Sequence, residues 1–148
     1  MTSYFSRVMV FTGFLMIPAF ALAQQPASTV VPVHVRYSAA YSEVLLRTTE
    51  VRAEIESAAP DHTEASTKMI DLRSELDILE RTAARLSSSR PSDSSKLTLA
   101  LGKLLVRKAE LDADLSRLLR KYKAEHPDVR RAARKAEIFE AAIREILP

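Results

Sequence analysis

Apolar positions recur at helical spacing along most of the chain. Leu97, Leu101, Leu104, Leu111, Leu115, Leu118 and Tyr122 follow alternating steps of four and three residues, with Lys108 in the one polar slot. That spacing is a heptad seam. Val129, Ala132, Ala136, Phe139, Ile143 and Ile146 continue it beyond a His126-Pro127 step, and Met69, Leu72, Leu76, Leu79, Ala83 and Leu86 make an earlier stretch of the same kind. Proline breaks a helix interior but suits its first turn or the loop before it, so Pro60, Pro91 and Pro127 read as boundaries. The pattern predicts helices over residues 38–59, 66–86, 96–123 and 127–147. The expected fold is all-α: two tandem antiparallel helical hairpins, 38–88 and 96–148, joined by a polar loop at 89–95. They are coiled-coil-like rods that either close into a four-helix bundle or stay extended.

A shift of sixty residues brings the two halves into register without a gap. Leu45 falls on Leu105, Arg47 on Arg107, Glu50 on Glu110, Ala53 on Ala113, Ile78 on Ile138 and Glu80 on Glu140. The polar seam slots Thr48 and Lys108 coincide too, and the coincidence reads as an internal repeat. The turns are expected to differ. In the second half His126 is pushed away from the helical region by the proline after it, and Pro127 opens the next helix with Asp128 at its positive end. In the first half Pro60 and Ser66-Thr67 take that role with different residues.

Ahead of the hairpins, residues 1–7 carry one positive charge and Val8 to Ala23 carry none, ending in Ala21-Leu22-Ala23. This is the pattern of a secretory signal cleaved after Ala23, so the chain is expected to be exported to the periplasm or secreted. Residues 24–37 read as a flexible linker. The chain has no cysteine, so stability after export must come from packing alone. Charge is unevenly shared. Residues 41–88 hold six Lys/Arg against ten Asp/Glu, a balance of −4, and residues 96–148 hold thirteen against eight, a balance of +5. The halves are complementary, which favours contact within one chain or between chains.

Candidate chemistry is sparse. Asp61-His62-Thr63-Glu64 sets carboxylates beside an imidazole, but no second His or Cys stands at ligand spacing, and a metal site needs three or four converging ligands. It reads as a solvated turn. The sequence has no Gly-rich phosphate loop, no Gly-x-Ser-x-Gly elbow and no nucleophile with a nearby base, so a non-enzymatic role without cofactor is expected. The densest charge is a basic collar around the second turn: Arg117, Arg120, Lys121, Lys123, Arg130, Arg131, Arg134 and Lys135. It is either a solvated helix face or an anion-binding tip for anionic glycan, lipid headgroups or an acidic partner. Export removes the chain from nucleic acid.

The segment Tyr122-x-x-x-His126-Pro127-x-Val129, followed by Ala132, Ala136, Phe139-Glu140 and Ile143, resembles part of the periplasmic coiled coil of polysaccharide chain-length determinant and exopolysaccharide transport proteins. The resemblance spans residues 104–147 at most. It implies a hairpin in the cell envelope with Tyr122, His126, Pro127 and Val129 in its turn, and oligomerisation linked to export of surface polysaccharide. This chain lacks that family's two membrane spans, its β-containing portion and any nucleotide-binding domain. Two functions are expected to compete. One is an envelope scaffold that self-associates or docks on another coiled-coil protein; the other is a periplasmic holdase whose helical prongs grip unfolded clients.

Overall fold

The computed structural model describes residues 31–148, and every regular element among them is helical. The proposed signal sequence and residues 24–30 lie outside the described residues. A short helix α1 (Val33–Arg36) precedes two hairpins, α2 (Ala39–Ala58) with α3 (Thr67–Ser87) and α4 (Leu99–Leu119) with α5 (Pro127–Ile146); a 3-10 turn, Pro91–Lys96, joins them. None of these helices is long and apolar enough to cross a membrane.

The helices start where side chains cap them. Ser38, Ser66 and Thr98 each accept a hydrogen bond from the backbone N–H three residues on, that of Tyr41, Met69 and Leu101. Such a cap satisfies one of the four donors that a helix start leaves open. Thr98 is also why the third long helix begins at Leu99 and not at residue 96. The expected extension to residue 123 is cut at Leu119, because the N–H groups of Lys121 and Tyr122 both turn back to the Leu118 carbonyl.

Two expectations for the connecting segments are corrected. Residues 32–36 are a helical turn and not a tether: Val35 is fully buried, and His34 Nε2 lies 3.1 Å from the Ser89 carbonyl across the joint between hairpins. The polar loop is likewise folded. Asp93, 7% exposed, takes hydrogen bonds from Lys96 Nζ at 2.8 Å and Arg90 Nε at 3.2 Å. Those two bonds, Lys96 first, hold its carboxyl below the usual range against the opposing effect of burial.

The arrangement is neither a closed four-helix bundle nor two separate rods. Helix α4 packs against α2, α3 and α5, whereas α5 lies along α4 and reaches α3 only towards the base, where Arg85 meets Glu140 at 3.1 Å. α4 therefore needs two apolar faces. Leu97, Leu101, Leu104 and Leu111 form the seam that the heptad predicts. Leu105, Ala109 and Ala113, all at most 6% exposed, form a second face that turns to hairpin 1, with Ala109 and Ala113 packed among Val51, Leu72 and Leu79. The base cluster joins Val35, Val44, Leu86, Leu101 and Ile143. Small residues let α2 and α4 approach closely. A Cβ on Gly102 would stand 2.9 Å from the Ala40 Cα, a distance that real side chains do not tolerate against backbone.

Candidate functional site

Both hairpin turns lie at the same end of the molecule. α2 and α4 run in parallel from the base, and Asp71, one turn into α3, accepts hydrogen bonds from both Arg117 and Arg120 at the end of α4. The turns prove to be one backbone turn built twice, which corrects the expectation that they differ. The N–H groups of Asp61 and His62 return to the Ala58 carbonyl, and those of Lys121 and Tyr122 return to Leu118; Ser66 donates to Thr63, and His126 donates to Lys123. Every one of these partners is sixty residues from its counterpart.

The turn residues singled out by sequence meet in space. His126 is the N-cap of α5, with its Nδ1 accepting from the Asp128 N–H at 3.2 Å, and Pro127 takes the first helical position, where its missing N–H costs nothing. The Tyr122 ring stacks on His126 with centroids 4.2 Å apart, and Val129 is buried against α4. The imidazole thus does at this turn what the Ser66 hydroxyl does at the other.

The basic collar separates into two groups. Arg117 and Arg120 are engaged by Asp71 and clamp hairpin 2 onto hairpin 1, with Arg117 also 3.1 Å from Asp114. Arg131 pairs with Asp128 and Arg134 with Glu137 along α5. The Arg131 hydrogen bond, with its charge, holds the Asp128 carboxyl below its ordinary range against the opposing effect of desolvation. Lys121, Lys123, Arg130 and Lys135 are exposed and make no ion pair among the described residues. Lys121, Lys123 and Arg130 belong to the turn and the first turn of α5, and an open cleft beside them is lined by Pro127, Arg130, Arg131, Ala133, Arg134 and Glu137. The other tip is acidic where this one is basic: Asp61 and Glu64 stand there, with Glu64 paired to Arg73 at 2.6 Å.

Sequence reasoning missed Asp71 and Glu75. Both lie on α3 on the side facing α4, and Glu75 holds Arg47 at 2.6 Å, which Glu110 of α4 approaches at 4.0 Å. Burial lowers the Arg47 pKa, but the hydrogen bonds and charges of its carboxylate neighbours, Glu75 first and then Glu50 and Glu110, together leave it raised. The signal was present as two acidic residues one turn apart, beside the apolar stripe of Met69, Leu72, Leu76 and Leu79. The chain matches no protein-family model, no curated protein and no solved structure.

Proposed function

We propose that this protein is a non-enzymatic helical scaffold of the cell envelope, exported by its N-terminal signal, whose cationic turn engages anionic groups. One observation carries the reading: Lys121, Lys123 and Arg130 stand exposed at one end without ion-pair partners among the described residues and outnumber Glu125 in the same turn, while Arg117 and Arg120 beside them are held by Asp71. Cations with intramolecular partners stabilise the fold. A pre-formed turn needs no backbone ordering on meeting carboxylate or phosphate, and the shared sign of its unpaired cations raises the local concentration of anions. The likeness of this turn to that of chain-length determinant proteins directs the choice of ligand to anionic surface polysaccharide.

The test is binding of the purified protein to an acidic polysaccharide and, separately, to vesicles with and without anionic lipid, across a salt series. Replacing Lys121, Lys123 and Arg130 by glutamine is expected to leave the circular dichroism unchanged, weaken polysaccharide binding at least tenfold and flatten its salt dependence. Preference for anionic vesicles would move the reading to lipid headgroups. Equal binding by the variant and the wild type in every arm would refute the cationic turn as a site. Stable capture of unfolded outer-membrane proteins, unaffected by the variant, would favour a holdase instead.

A further inference from the structure

We infer that a second copy of this chain stacks head to tail on the first, with its α2 seated in the α4/α5 groove of the first copy as α4 is seated in the α2/α3 groove within one chain. The inference rests on the scaffold reading but uses other residues. Inside the chain the joint between hairpins buries Leu105 (4% exposed), Ala109 and Ala113 from α4 and Ile78 (9%) from α3. Their counterparts sixty residues away are open: Leu45 is 47% exposed, Thr49 and Ala53 are exposed, and Ile138 is 58% exposed. Each hairpin thus carries both halves of one interface. A stack of two units uses one half of each and leaves the other half uncovered at either end, as terminal units of repeat arrays do unless they are capped or continued.

The residues that stay identical across the sixty-residue offset concentrate at this joint. Leu45/Leu105, Ala53/Ala113 and Ile78/Ile138 are its apolar pairs. Charged residues obey the same relation. Arg47 faces Glu110 across the joint at 4.0 Å, and the repeat supplies Arg107 on the first copy to face Glu50 of the second. A solvated face has no need of a leucine and an isoleucine at matching positions, and a joint does.

The receiving groove is present in the first copy, lined by Leu111, Leu118 and Ala132, with Arg117, Arg131 and Lys135 set against Asp114 and Asp128. Val51, Ala58 and Leu72 occupy the corresponding places in the groove that holds Ala109 and Ala113. Charge has changed in step on the two sides. Arg131 and Lys135 replace Asp71 and Glu75, while the incoming helix has Ser57 in place of Arg117 and Glu56 in place of Ser116, and keeps acids at Glu50 and Glu54 where α4 has Glu110 and Asp114. An acidic helix meets a groove whose lining carries one basic residue in excess, which favours this occupant over a copy of the basic α4. One departure sets the strength. Ser42 stands where Gly102 allows the close approach to Ala40, so two copies sit further apart at the base than the two hairpins of one chain do. Association between copies is therefore weaker than the joint within one chain, and reversible. Being heterologous, it extends into strings.

The absence of cysteine makes the geometry directly testable. Ser42→Cys and Ala100→Cys are exposed positions that take the places of Gly102 and Ala40 in the proposed joint. Prepared separately, mixed and air-oxidised, they are expected to give a 42-to-100 linked pair, and wild-type sedimentation mass is expected to rise with concentration. Leu45→Glu and Ile138→Glu alter exposed residues, so helicity should hold while association weakens at least tenfold. The proposal fails if only a symmetric 42-to-42 dimer forms, if the protein sediments as a monomer at every concentration, or if neither glutamate variant changes association. A monomer that still binds anionic polysaccharide through its turn would remove the stacking and leave the scaffold reading standing. Loss of anion binding in the glutamine variant with stacking intact would bear on the turn alone, and would leave this joint supported.

Discussion

Hairpins 1 and 2 share boundaries, caps and turn hydrogen bonds at a constant offset, yet the same position is buried in one and open in the other. Leu105 is covered and Leu45 is not; Ile78 is covered and Ile138 is not. Local sequence sets the shape of each hairpin, and its place in the stack sets what that shape covers. The hairpins differ in charge as well. Where hairpin 1 offers Asp71 to Arg120 at the end of α4 and pairs Glu75 with its own Arg47, hairpin 2 has Arg131 and Lys135 at the matching positions.

The largest effect expected from breaking the comparison is at its leucines. Leu105→Ala removes a side chain buried between α4 and hairpin 1 and should destabilise the fold by about 2–5 kcal/mol. Leu45→Ala, the same change at the matching exposed position, should stay within roughly 0.5 kcal/mol in dilute solution. Urea melts monitored by circular dichroism measure both. Equal losses would mean that something covers Leu45 as fully as α2 and α3 cover Leu105.

Next comes the glycine. Gly102→Ala gains about 1 kcal/mol of helix propensity, but its Cβ would lie 2.9 Å from the Ala40 Cα and force α2 and α4 apart. Overpacking of this kind costs about 1–3 kcal/mol, so a net loss of roughly 0–2 kcal/mol is expected from the same melts. Ser42→Ala at the matching exposed site should be neutral or slightly stabilising. A stabilised Gly102→Ala variant would show that the two helices yield at this point.

The smallest effect is at the joint between hairpins. Asp93 has a lowered pKa when folded, so its contribution is complete above the ordinary carboxylate range near pH ~4 and fades as pH falls through the folded value. Its counterpart in the first turn is Val33, which is exposed and cannot titrate. Hydrogen exchange is therefore expected to rise in acid first around Pro91–Lys96, before α1 loosens, and Asp93→Asn should abolish that pH dependence. Loosening of both segments together would assign the acid response to carboxylates elsewhere.

The sequence alone determined the four long helices, the offset between them, the seam facing α5 and the role of Pro127 at a helix start, because spacing, capping and proline geometry act within a few residues. It also brought Tyr122 and His126 together at the second turn, with Val129 falling just inside α5. The tertiary structure decided every feature that depends on contact between distant parts of the chain. A heptad reading gives α4 one apolar face; its second face is built of Gly102, Leu105, Ala109 and Ala113, whose mostly small side chains carry little weight in a hydrophobic pattern and matter only once α2 and α3 lie against them. Likewise, eight basic residues around the turn look alike along the chain, and only the arrival of Asp71 from α3 separates Arg117 and Arg120, which hold the hairpins together, from Lys121, Lys123 and Arg130, which face outward. Ion pairing depends on distances of a few ångströms between groups some fifty residues apart in the chain, and such distances are set by packing.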